Sequence, residues 1–390
     1  MLNVINRYFY FVIAAVLVLL LMPNAKVRLN RSAFLLVAVS MCTLLFDPNT
    51  QDRVLDMVKP FAYPLCYVLG TSVFTYRKGA PVDLQKEEKN ISTAICVIAG
   101  GPLLRFILNM ITNWGSTNRN VIDFWTKSEM AATGQAALAC MAIAVAVAFL
   151  FSKAGNQKKI IGAAILLAII TYNLILAGRT IFVLILLIMM VAILYRCITE
   201  KIKIGKAVTI ILVVLLVLVL LYNNNVFGIK TTVESSNFYL RFYGDKYSQE
   251  LDEDSRLEYK LAYLSHFLDY PWGGYRIYDA LGHSAHDLYL DLYSEAGVFA
   301  FIAIIAYIIS SLSRMVKCLR SPRFTSPTKL LILCVYIACN IQFWLEPITR
   351  GMPWLLAAYC FIDGTITYLL MREQDSLDRV AVPTTVRQNH

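Results

Sequence analysis

Charge is scarce in this chain. Only 16% of its 390 residues are Asp, Glu, Lys or Arg, against about 25% in a soluble domain, which excludes an ordinary water-soluble enzyme. The deficit falls in repeated apolar blocks, and the mean hydropathy is +0.59. Histidine is rarer still: residues 266, 283, 286 and 390 are the whole supply. No GxxxxGK[ST] or GxGxxG segment occurs, which removes the common nucleotide-binding loops. No CxxC or HExxH pattern supports a zinc site. None of the nine cysteines falls in a segment expected outside the cytoplasm, so no disulfide framework is expected. Internal repeats, heptads and low-complexity segments are also absent.

What remains is a series of hydrophobic runs. Eleven spans are read, near 8–22, 33–46, 61–76, 91–112, 135–152, 160–177, 181–195, 207–222, 289–312, 328–343 and 353–371. This predicts an all-α polytopic membrane protein of about 11 (10–12) transmembrane helices, with one integral domain over residues 1–371. The polar remainder, 372–390, is expected to be a disordered cytoplasmic tail. The first run lacks a small-residue cleavage site and reads as a retained span.

Lys and Arg in short segments set the orientation. Lys26, Arg28 and Arg31, then Arg77, Lys78, Lys86 and Lys89, then Lys153, Lys158 and Lys159 share one side with Arg196, Lys201, Lys203 and Lys206. Arg314, Lys317, Arg320, Arg323 and Lys329 join them, which assigns this side to the cytoplasm. The net charge of +10 is therefore a topology signal, and no nucleic-acid partner is expected. The long loop at about 223–288 then faces outward.

That loop is patterned. Ser255 with Glu258 three residues on reads as a helix start, and Leu257, Leu261, Leu264 and Leu268 follow at helical spacing. Pro271 is expected to stop the helix, and Gly273-Gly274 to make a flexible turn. The loop closes on His286-Asp287-Leu288-Tyr289-Leu290-Asp291, running straight into a span with Glu295 and Gly297. Ionisable groups at that depth are costly unless paired or hydrated, so they point to function.

His286 is the natural general base, since imidazole titrates near ~6.5. A structural histidine, or a metal cluster of His283, His286, Asp287 and Asp291, are the competing readings. Gly178-Arg179-Thr180 marks an outer turn. Arg179 is either a helix-end anchor or a phosphate ligand, because its fork suits bidentate recognition, and Thr180 adds a hydroxyl donor. Arg256 opens the loop helix, with Lys260 one turn on, and either binds a phosphate or pairs with Asp254, Glu253 or Glu258. Arg241, Arg276 and Arg350 read as ordinary loop charges, with Arg276 carried forward as a substrate contact beside the Gly-Gly turn. Arg105, within a span, needs a partner or lines a cavity.

Three of these pieces, in order, resemble the bacterial O-antigen ligase and O-antigen/capsule polymerase superfamily. They are Gly178-Arg179-Thr180, the Arg256-initiated helix running to Pro271-Trp272-Gly273-Gly274, and the block with His286, Leu290, Glu295 and Gly297. Asp287 stands where that family usually has Asn. The resemblance spans about residues 130–371 and implies a glycosyltransferase-C-like helical fold. It also implies a metal-independent, inverting glycosyl transfer from an undecaprenyl-diphosphate-linked oligosaccharide, with no cofactor.

In that scheme Arg179 and Arg256 hold the diphosphate, Thr180, Arg276 and Asp287 assist, and His286 deprotonates the acceptor hydroxyl. Tyr239, Tyr243, Tyr263, Tyr275 and Trp272 are available to stack on sugars. The expected location is the bacterial inner membrane with the site facing the periplasm or cell exterior. A flippase and a chain-length regulator are candidate partners. Repeat-unit polymerase is the leading expectation, O-antigen ligase its neighbour, and a transporter using Arg105 and Asn173 the rival of another class.

Overall fold

The computed structural model of the chain describes residues 29–48, 57–72, 83–114, 120–153, 155–199, 223–225, 229–234, 239 and 256–381. In chain order the helices are α1 (Arg31–Phe46), α2 (Ala62–Ser72), α3 (Leu84–Thr112), α4 (Ala132–Phe151), α5 (Asn156–Leu176) and α6 (Arg179–Thr199). Then come α7 (Ile229–Glu234), α8 (Arg256–Ser265), α9 (Arg276–Leu281), α10 (Leu288–Arg320), α11 (Ser326–Leu345), α12 (Ile348–Gly351) and α13 (Pro353–Ala381).

Helices α3, α4, α5, α6, α10, α11 and α13 are long and apolar enough to cross a bilayer, which makes this a multi-pass membrane protein. Nine of the eleven expected spans coincide with described helices, two of them as the shorter α1 and α2. The spans at 8–22 and 207–222 lie outside the described residues, as do the acidic run at 250–254 and Ser255.

The helical architecture includes one short hairpin, in which Val121–Ile122 pairs antiparallel with Glu129–Met130. Asp123 forms that turn, accepting from the Thr126 amide and hydroxyl, both at 2.8 Å. The tail is not disordered from residue 372, because α13 continues to Ala381. Arg372 pairs with Glu87 at 3.7 Å and Arg323 donates to Ser376 at 2.8 Å, which gives this polar extension partners.

The chain divides into two compact units. One comprises residues 1–95, 259–329 and 347–390, the other 96–258 and 330–346. In the first, α1 packs on α10 and α2 on α13. A Cβ at Gly70 would lie 2.2 Å from the Phe361 carbonyl, and one at Gly364 equally close to that of Tyr67. Small residues let backbones meet where lipid supplies no hydrophobic drive between helices. Arg314 ties three helices, pairing with Asp363 and donating to Ser32 at 2.7 Å and Ser310 at 2.8 Å.

In the second unit α4 is the centre. Its alanine-rich surface is buried almost all round, as expected of a helix apolar on every face. Arg105 resolves as a structural pair, its Nε 2.7 Å from Asp123. Burial alone would raise the Asp123 pKa, but Arg105, Thr126 and Asn109 outweigh it and hold the carboxyl well below its ordinary value. Asn173 closes the turn before α6 by donating to the Gly178 carbonyl at 2.7 Å.

Candidate functional site

Helix α10 is two helices in one. Its 33 residues would span about 50 Å at 1.5 Å per residue, too long for a hydrocarbon core of about 30 Å. Gly297, at φ 80°, breaks it. Val298–Arg320 alone is about 35 Å long, while Leu288–Gly297 is buried on every side.

The break frees backbone groups, and the loop takes them. The Gly274 and Tyr275 amides donate to the Glu295 and Ser294 carbonyls at 3.0 and 2.8 Å, and the Val298 amide donates to the Pro271 carbonyl at 2.9 Å. Gly273 and Gly274 have φ of 74° and 70°, so this segment is a pinned splice, not a flexible turn. Helix α8 also ends earlier than Pro271, at Ser265. The Tyr293 hydroxyl draws the carbonyls of Phe267 and Tyr270 toward α10 instead.

The buried head of α10 organises the histidine loop. Asp287 is its N-cap, accepting from the Leu290 amide at 2.8 Å. Asn and Asp cap about equally well, so either residue would fill this role. The charge finds Lys260 at 3.4 Å. Burial, the largest effect, pushes the Asp287 carboxyl above its usual value, against the Leu290 amide and Lys260. Asp291 accepts from the Ala285 amide at 3.0 Å, and the His286 amide reaches the same carboxylate. His286 itself sits at φ 58°, a left-handed conformation uncommon for a residue with a Cβ.

Helix α8 turns its polar side inward. Arg256, Tyr259 and Lys260 are half-buried and Tyr263 fully buried. Leu257, Leu261, Leu264 and Leu268 are 55–84% exposed. Tyr259 stacks on His283 at 3.9 Å and lies 6.4 Å from the His286 ring. Tyr263 donates to the His283 carbonyl at 2.8 Å and belongs to the core with Ile277, Ala285, Leu290 and Tyr293. It is therefore not a sugar platform. Trp272 lies between Phe46 and Phe299, at 6.2 and 6.1 Å.

The second unit holds the other predicted cations. Arg179 is half-buried and opens α6, following the left-handed Ala177. Thr180 donates to Glu346 at 2.9 Å. Arg256 donates to the Leu345 carbonyl at 3.0 Å and lies 3.8 Å from the same Glu346 carboxylate, which is fully buried. Among the described residues Arg256 thus pairs with Glu346; Glu253 and Asp254 lie outside them. Arg179 and Arg276 each begin a helix, and Arg256 is the first described residue of α8; at a helix start a cation opposes the dipole unless an anion is near.

Thr180 and Arg256 are therefore brought together by Glu346, and His286 and Asp287 by the head of α10. Arg276 is exposed at the start of α9. Lys260, Asp291 and Glu346 carry contacts that no motif announced. Arg350 is no ordinary loop charge, pairing with buried Glu295 at 3.2 Å. Among the described residues, no three His, Cys, Asp or Glu side chains gather as a metal site. No protein-family model and no curated protein matches this chain.

Proposed function

We propose that the chain is a repeat-unit polymerase of a surface polysaccharide (O-antigen, capsule or exopolysaccharide) at the outer face of the bacterial cytoplasmic membrane. The donor is an oligosaccharide on undecaprenyl diphosphate. The observation that carries the reading is the backbone of His286. A left-handed histidine costs about 1–3 kcal/mol and persists where surroundings over-determine it, and here the side chain of Asp291 fixes the adjoining amides.

In the reaction, the acceptor hydroxyl oxygen attacks the anomeric carbon as the bond from that carbon to the diphosphate oxygen breaks. His286 takes the hydroxyl proton, the diphosphate leaves on its lipid, and configuration inverts. Arg179 and Arg256 stabilise the charge growing on the leaving group, with Thr180, Arg276 and Asp287 in supporting positions. The arginines at helix starts favour this reading, since a helix N-terminus and a guanidinium both attract phosphate. Two cations stand where a metal would otherwise be needed.

The test is a chromosomal deletion complemented with the unsubstituted chain, His286→Ala or Arg179→Lys, reading surface polysaccharide on a gel. Collapse of the ladder to a single repeat unit on its acceptor, with both variants failing to restore it, supports the polymerase. Loss of polymer from the acceptor with long chains still on the lipid carrier assigns ligase activity instead. Normal ladders from His286→Ala remove the base.

A further inference from the structure

A cavity of about 640 Å³ opens in the first unit, where residues next to α1, the start of α2, the Gly-Gly turn and α12 converge. Its size falls within the ~300–1,000 Å³ typical of small-molecule pockets. Neither the base nor the diphosphate-binding residues named above line it; of the aromatic residues expected to stack on sugars, Tyr275 does. Its floor is Glu295, 4% exposed, whose Oε1 accepts from Thr349 at 2.8 Å and from Arg350 Nε at 3.2 Å. Both of these contacts fall on Oε1, and Glu295 lines the cavity.

The wall is aromatic and fixed. The Arg350 guanidinium lies 4.6 Å from the Tyr275 ring centroid and 4.4 Å from that of Tyr278, so the cation binds the two rings into one block. Tyr275 is held by the hydrogen bond from its amide to the Ser294 carbonyl, and its hydroxyl lies 3.5 Å from Asp47. Asp47, Asp279 and Glu295 oppose Lys59 and Arg350 around the lining. A diphosphate would meet more negative than positive groups here, and like charges in contact are penalised. An acyl chain would strand the carboxylates. A neutral polyhydroxylated ring suits both features: carboxylate and guanidinium exchange hydrogen bonds with hydroxyls, and tyrosine edges pack on the C–H face.

We infer that this cavity is a binding subsite for a neutral saccharide. Its assignment as the seat of the acceptor sugar chain rests on the glycosyl-transfer reading; the binding itself does not. Glu295 Oε2 and the Arg350 Nη groups contact hydroxyls, while Tyr275 and Tyr278 form the wall on which the ring lies.

The test uses the full chain in lipid nanodiscs, free of sugar-headed detergent, with saturation-transfer NMR on neutral trisaccharides of glucose, galactose, mannose and rhamnose. Inorganic pyrophosphate serves as the competing anion. At least one sugar is expected to show transfer that pyrophosphate leaves unchanged. Glu295→Gln and Tyr278→Ala are each expected to weaken binding by roughly tenfold, the scale of one lost charge-assisted hydrogen bond or ring contact. Tyr278→Ala, at a half-buried position, keeps the test decisive should Glu295→Gln fail to fold. No transfer from any sugar, transfer that survives both substitutions, or displacement by pyrophosphate overturns the subsite.

His286→Ala is expected to bind sugar like the unsubstituted chain. Sugar binding together with a normal ladder from that variant would remove His286 as the base and leave the pocket standing. The opposite pattern would do the reverse.

Discussion

Gly273 and Gly297 meet backbone to backbone. A Cβ on Gly273 would fall 2.5 Å from the Gly297 nitrogen, and one on Gly297 would fall 2.7 Å from the Pro271 carbonyl. Both residues also hold positive φ. Alanine at either position combines a strained backbone, about 1–3 kcal/mol, with a clash against backbone that cannot move aside. Gly273→Ala and Gly297→Ala are expected to lower the melting temperature in nanodiscs and abolish polymer. Melting curves matching the unsubstituted chain would show the splice to be dispensable.

Asp287 makes a pH prediction. Its carboxyl is raised in the folded chain, so the folded state binds more protons than the unfolded one as pH rises from about 3.8. Stability therefore falls with rising pH across that window, until the folded carboxyl has itself ionised. Asp287→Asn keeps the cap and removes the titration, so its unfolding midpoint should decline less steeply from acid toward neutral pH. Asp287→Ala should also lose about 1 kcal/mol of capping. Parallel pH profiles for Asn and Asp would refute the burial argument.

Glu346 joins Thr180 to Arg256, and the pair should be energetically coupled through it. A double-mutant cycle with Thr180→Val and Glu346→Leu, which remove the donor and the acceptor of that bond, is expected to give a coupling of about 1–2 kcal/mol in unfolding free energy. Strict additivity would mean that the 2.9 Å hydrogen bond contributes nothing.

Arg105 is expected to matter for folding. Removing one member of a buried pair costs about 3–5 kcal/mol, so Arg105→Ala and Asp123→Ala should each deplete the protein in membranes. The double substitution should recover part of the loss. Accumulation at normal levels with lost polymer would instead place Arg105 in the reaction.

Apolar run length made most of the helices legible, and the helix-start arginines and His286 were legible as residue types in a pattern. The splice was not, because a contact between residues 273 and 297 leaves no periodic trace in the sequence. The head of α10 read as membrane span because Leu, Tyr and Ala look alike whether they face lipid or protein. The leucines of α8 mislead for the same reason: amphipathic spacing marks a face without saying whether core or surroundings receive it. Arg350 looked ordinary because its partner, Glu295, is 55 positions away, and Glu346 because its contact with Thr180 spans 166.

The splice is made entirely of main-chain atoms, which bears on how relatives of this chain can be found. What the joint itself demands of Trp272, Ser294 and Ala296 is only that their main chain permit the path; their side chains answer to the packing around them. What it cannot tolerate is a Cβ at positions 273 and 297. Two chains sharing this joint can therefore diverge until overall similarity vanishes, while a pair of glycines twenty-four residues apart, the second inside an apolar run, stays readable.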